Sequence, residues 1–106
     1  MTHLTTHVLD AATGTPAVDV AIELADARGT VIATGSTDAD GRLALGPDRL
    51  EPGIYALTFD TGGHFARAGT ATFYPSATVS FTVGDEPHLH VPLLLSPFAY
   101  STYRGS

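Results

Sequence analysis

The 106-residue chain contains no cysteine. That removes thiol nucleophiles, cysteine-based metal centres and disulfide stabilisation together. Basic residues are also scarce: five against eleven acids give a formal net charge of −6. Such a surface argues against nucleic acid or an anionic membrane as partner, although a single Arg or His can still hold a small anion. No apolar run approaches the roughly 20 residues that a membrane span requires. Residues 1–7 have neither the basic nor the apolar region of a secretory signal. The last residues are not a serine-lysine-leucine peroxisomal tail. The expectation is a soluble cytoplasmic protein of one domain, residues 1–106, and 43% hydrophobic residues are enough for a real core. Standard catalytic signatures are missing too. There is no Gly-x-Ser-x-Gly elbow, no phosphate loop and no dinucleotide fingerprint, and the acids form no recognisable catalytic pair. Any chemistry falls to His, Arg, Tyr and Ser.

What is present is alternation with a period of two, broken at short intervals by turn residues, the pattern of an all-β sandwich or barrel. Leu4, Thr6 and Val8 alternate with Thr5, His7 and Leu9. Thr13-Gly14-Thr15-Pro16 reads as a turn. Val18, Val20, Ile22 and Leu24 then share one face, and a weaker strand covers residues 30–35. Asp38-Ala39-Asp40-Gly41 is a strong turn signal, because Gly supplies positive φ and Asp side chains bond nearby backbone. Short strands follow at residues 42–45 and 54–59. Residues 64–68 suggest one short helix closed by Gly69 as a C-cap. Val79, Phe81 and Val83 alternate with Ser80 and Thr82. Leu89, Val91, Leu93 and Leu95 share a face opposite His88, His90 and Pro92. Pro92 lacks a donor, so its strand is either at an edge or has its N–H side free there. Residues 100–104 suggest a last strand. The sum is seven or eight strands.

Three ionisable residues, His7, Arg42 and His90, project away from the core-facing aliphatics. If their strands are neighbours, they converge on one outer patch. A solvated surface His or a strand-start Arg is the plainer explanation of each taken alone. His88 and His90 at i and i+2 could ligate a metal, but they lack an obvious third ligand, and no metal is expected. His3 is expected to be mobile near the terminus and His64 to be solvated. A His–Arg–Tyr–Ser set suits general acid–base work on a polar amide or lactam, with Arg holding an anion.

Three segments carry a resemblance. They are Thr6-His7-Val8-Leu9-Asp10 with Thr13-Gly14-Thr15-Pro16-Ala17; Thr37-Asp38-Ala39-Asp40-Gly41-Arg42; and residues 88–106, HLHVPLLLSPFAYSTYRGS. Thr61-Gly62 before Phe65, and Phe73-Tyr74-Pro75, fit as well. With these motifs the chain resembles the 5-hydroxyisourate hydrolases, the enzyme branch of the transthyretin fold, over essentially its whole length. The closing Tyr103-Arg104-Gly105-Ser106 separates those hydrolases from hormone-carrying transthyretins. Two departures are visible: Leu89 where the family often has Tyr, and Ala99 where it often has Gly.

The resemblance implies a transthyretin-like (prealbumin-like) two-sheet β-sandwich with one short helix. It implies hydrolysis of 5-hydroxyisourate to 2-oxo-4-hydroxy-4-carboxy-5-ureidoimidazoline in urate degradation, with no cofactor. By position it assigns His7, Arg42, His90 and Tyr103 to a site formed where two dimers meet in a homotetramer. Either His7 or His90 would be the base that activates water, and Arg42 would bind the substrate's oxygens. Tyr103 would contact the substrate, Ser106 would help set the geometry, and Arg104 would be an ion-pair partner or second anion contact. The competing expectation is a transthyretin-like carrier or accessory binding module without catalysis. The histidines at 7 and 90 and the intact ending speak against it.

Overall fold

The computed structural model describes residues 2–106. Alternating side chains build two sheets that face each other across one core. The first contains β1 (Leu4–Asp10), β2 (Thr15–Pro16), β5 (Arg42–Leu45), β8 (Leu89–Ser96) and β9 (Ala99–Thr102). Its order is β2-β1-β8-β9, with β5 also paired to β1. The second sheet has the order β4-β3-β6-β7, from β3 (Ala21–Asp26), β4 (Val31–Ser36), β6 (Gly53–Phe59) and β7 (Ala77–Val83). One helix, α1 (Thr61–Arg67), follows β6. The all-β, two-sheet sandwich with a short helix is thus the observed architecture.

Leu4 and Val8 from β1 meet Leu89, Val91, Leu93 and Leu95 from β8, and Ile22, Leu24, Leu57 and Phe59 close the core from the other sheet. All are buried, and each such side chain contributes roughly 1.5–3 kcal/mol by leaving water. Thr6 occupies an inward position without cost, because its hydroxyl donates to the Val91 carbonyl at 2.6 Å.

Several expectations change. Residues 15 and 16, read as part of a turn, pair with Asp10 and Leu9, which brings the strands among the described residues to nine. Val18 is 47% exposed and does not share the face of Val20, Ile22 and Leu24. Asp19 takes φ 62° between Val18 and Val20 and breaks the alternation. The helix begins earlier than expected, with Asp60 as N-cap accepting from the Gly63 N–H, and Ala68 is its C-cap. Gly69, at φ +68°, is the residue that follows the cap. β9 ends at Thr102, so Tyr103 and Arg104 lie beyond it.

Two histidines that were expected to be loose are structural. His3 is buried, and its Nδ1 accepts from the Leu50 N–H at 2.9 Å. Its Nε2–H donates to the Glu86 carbonyl, so one ring proton satisfies both bonds. His64 donates from Nε2 to the buried Asp10 carboxylate at 2.8 Å. Asp10 also accepts from the Ala12 and Thr13 N–H groups, and the pair ties α1 to the end of β1. No helix among the described residues is long and apolar enough to cross a membrane.

Candidate active site

The outer face of the first sheet gathers the polar residues that alternation turned outward. Antiparallel pairing of β1 with β5 sets His7 opposite Arg42. Parallel pairing of β1 with β8 sets Thr5 opposite His90 and His7 opposite Pro92. The convergence that the sequence left conditional therefore follows from strand order and register.

Arg42 owes its position to the turn before it. Asp38 Oδ1 accepts from the Asp40 N–H at 2.8 Å and the Arg42 N–H at 2.9 Å. Those two bonds, the Arg42 one first, hold the Asp38 carboxyl below the usual carboxylate range. Gly41 has φ +74°, and a Cβ there would strike the Val8 carbonyl oxygen. Thr37 locks the turn to the neighbouring loop by donating to Ala17 O at 2.7 Å and accepting from Val20 N at 2.9 Å. The Thr-Asp-x-Asp-Gly-Arg motif thus fixes the backbone from which Arg42 enters the outer face. Among the described residues, no carboxylate forms an ion pair with its guanidinium.

His90 is held on several sides. Its Nδ1 lies 2.8 Å from Thr5 Oγ1, which is also 3.0 Å from His88 Nε2. Its carbonyl accepts from the Gly105 N–H at 2.9 Å. A Cβ on Gly105 would come to 2.5 Å from His90 Cδ2 and 3.1 Å from Pro92 Cγ. A larger residue there would force the ring or the tail to move, so the terminal segment packs closely against the imidazole. Burial pushes the His90 imidazole below its ordinary value of 6.5, and the charges of Arg42, His7 and His88 push the same way. Together these outweigh the Thr5 contact, which acts the other way, and favour the neutral imidazole.

Pro92 occupies a strand flanked on both sides, by β1 and β9. Its carbonyl accepts from Thr102 Oγ1 at 2.7 Å, just where the β9 ladder ends. The missing N–H thus falls on the side where no ladder donor is required, the second of the two options left by the sequence.

A groove of about 480 Å³ runs over this face, lined by Thr5, Asp38, Arg42, His88, His90 and Ser106 among others. It holds three of the six expected site residues: Arg42, His90 and Ser106. His7 stands beside Arg42 but turns its Nε2–H to the Asp40 carbonyl at 2.9 Å. Tyr103 and Arg104 lie elsewhere, in a second groove of about 350 Å³ with Val79, Phe81 and Glu86. His90 lines both grooves. Arg104 helps hold the Glu86 carboxyl low, after backbone N–H groups that weigh more. Among the described residues, no group of three metal-ligating side chains forms around His88 and His90.

The sequence reading missed Thr5 as a site residue. Its signal was faint: it shares the outward face with His7, and only the parallel register shows that it meets His90.

A two-sheet sandwich with one short helix, carrying a histidine–arginine groove on an outer sheet face, defines a transthyretin-like class. The chain belongs to the HIUase/Transthyretin family, whose model matches residues 4–105. Among its relatives, the 5-hydroxyisourate hydrolase of Mus musculus is 43% identical, covering 97% of this chain and 94% of its own length. That of Ralstonia nicotianae is 44% identical over 100% of both chains. The solved Klebsiella pneumoniae 5-hydroxyisourate hydrolase is 44% identical with a TM-score of 0.90, covering 97% of this chain and 98% of its own. Sea bream transthyretin in complex with thyroxine follows at 37% identity and a TM-score of 0.89, over 97% and 94%. Backbone shape alone does not divide enzyme from carrier; the side chains on the outer face must.

Proposed function

We propose that the chain hydrolyses 5-hydroxyisourate, opening its lactam with water. The observation that carries this reading is His90, held by Thr5 and Gly105 in the groove that it shares with Arg42 on the outer sheet face. A carrier of an apolar aromatic ligand needs neither group there.

His90 is the base. With Nδ1 engaged by Thr5, Nε2 is the nitrogen left to take a proton from water. His7 is less suited, because it does not line the groove that His90 shares with Arg42 and Ser106. Water adds to the lactam carbonyl as its proton passes to His90 Nε2. Arg42 donates to the oxygen that becomes negative, where a forked, permanently charged donor is strongest. The C–N bond then breaks, the ring nitrogen takes the proton back from His90, and the new carboxylic acid releases the water's second proton to solvent, leaving a carboxylate. General-base help of this kind is worth on the order of 10²–10⁴-fold.

The active form is a homotetramer whose dimers meet over this face. The groove of one protomer is open, and Tyr103 and Arg104 line a different one. A facing subunit would cover the groove, supply further walls and exclude bulk water, which strengthens the attraction between Arg42 and an anion.

The test is to generate 5-hydroxyisourate from urate with a uricase and follow its absorbance after adding the protein. Decay well above the buffer rate is expected. Decay at the buffer rate, combined with thyroxine-like ligand binding, would assign the chain to the carriers.

A further inference from the structure

Thr5 Oγ1 sits between two imidazoles, 2.8 Å from His90 Nδ1 and 3.0 Å from His88 Nε2. A hydroxyl has one proton and can accept others. With singly protonated rings, three arrangements satisfy both bonds. In the first, His90 Nδ1–H donates to Oγ1 and the Thr5 hydroxyl donates to His88 Nε2. In the second, both rings donate to Oγ1 and the hydroxyl proton turns to solvent. In the third, His88 Nε2–H donates to Oγ1, the hydroxyl donates to His90 Nδ1, and the His90 proton sits on Nε2. The first two, with the proton on His90 Nδ1, leave a lone pair on Nε2 for a water molecule.

We propose that Thr5 is a positioning residue for the hydrolysis above, fixing His90 in the Nδ1–H form through the hydrogen-bonded row His90–Thr5–His88. The inference rests on the hydrolase reading and adds two residues to it. The fold supplies the row without adjustable parts. Parallel pairing puts Thr5 opposite His90, and alternation puts His88 two residues earlier on the same face of the chain. Threonine is β-branched, so its hydroxyl direction is restricted at χ1. Gly105 packs against the Cδ2 side of the His90 ring, leaving no room even for a Cβ, and limits its swing when Nδ1 is engaged. The charges that act on His90 are those of Arg42 from β5, His7 from β1 and His88 from its own chain segment; Asp38 and the terminal Ser106 line its groove as well, and Glu86, Tyr103 and Arg104 line the groove on its other side.

The row is tested by ¹⁵N NMR of the histidine rings, recorded at a pH above their titration, together with steady-state kinetics of wild type, Thr5→Val and Thr5→Ser. Valine keeps the shape and removes the hydroxyl; serine keeps the hydroxyl. Wild-type His90 should carry its proton on Nδ1. Thr5→Val should lower kcat about tenfold with KM changed less than about twofold, the scale of one lost neutral hydrogen bond. Its His90 should shift toward the Nε2–H form, and Thr5→Ser should recover most of kcat. A wild-type His90 protonated on Nε2, or a Thr5→Val variant with wild-type kcat, would overturn the proposal. Failure of the hydrolase reading is distinguishable, since it would appear as absent wild-type turnover while the ring spectra still report the row.

Discussion

The two sheets of this molecule are built alike and finished differently. On the second sheet the polar outward positions are Glu23, Thr34, Thr58, Thr78, Ser80 and Thr82, interspersed with exposed Ala21, Ile32 and Ile54. Thr58 and Thr78 hydrogen-bond across strands at 3.1 Å, an ordinary ladder on a solvated face. On the first sheet the outward positions hold Thr5, His7, Arg42 and His90, beside Leu9 and Leu94. Where the second face is polar, threonine, serine and one glutamate suffice. Histidine and arginine at one face only, with His7 and His90 held by hydrogen bonds, go beyond what folding requires. The contrast teaches that a sheet exterior is free to carry chemistry-bearing side chains, because the core places no limit on their choice there.

Removing residues 103–106 should have the largest effect on the contrast. The segment packs Gly105 on His90 and brings Ser106 into the groove. Turnover should fall to the buffer rate, while circular dichroism still reports the sandwich, since β9 ends at Thr102. A truncated chain with full activity would show the tail to be dispensable.

His90→Ala should come next. Turnover should fall by about 10²–10⁴-fold, the usual worth of a general base, with thermal stability nearly intact because the side chain lies off the core. The pH profile should agree. His90 is held below 6.5 mainly by burial, so kcat/KM in wild type should be flat through neutrality. It should fall only as pH drops through that lowered value, and the fall should be absent in His90→Ala. The same depression has a stability sign. The folded chain binds this proton less tightly than the unfolded chain does. The contribution is therefore complete above 6.5 and is lost as pH falls through the folded value. Thermal melts of wild type and His90→Ala at several pH values would check it.

Much of this was legible in the sequence. The alternation of residues 4–9 and 89–95 gave both faces of β1 and β8, and the turn at 38–41 announced Arg42. What escaped depended on pairing between distant strands. Thr5 looks like filler until a parallel neighbour sets it against His90. His3 and His64 looked like loose surface residues, because their partners, the Leu50 N–H and Asp10, lie 47 and 54 positions away. The face of Val18 was misjudged because Asp19 adopts positive φ, which no periodicity rule reveals. Tyr103 was grouped with Arg42 by resemblance, yet within one protomer it faces another groove. That separation is a physical reason to expect a shared site, in which two copies complete what one cannot.

A subtler break is Gly105→Ala. Its Cβ would come within 2.5 Å of His90 Cδ2, so the ring or the tail must move. Turnover should drop about tenfold, as for a catalytic group moved out of line, and melting should be almost unchanged. The smallest effect is expected from Thr78→Val on the second sheet. It removes one cross-strand hydrogen bond at an exposed position, so stability should change by under about 1 kcal/mol and turnover should match wild type. Lost turnover in Thr78→Val would erase the distinction between the faces.

The most direct measurement is a pair of progress curves, wild type and His90→Ala, on freshly generated 5-hydroxyisourate at neutral pH. The account predicts rapid decay with wild type and decay close to buffer with the variant, both proteins being folded. Equal rates for the two would contradict it.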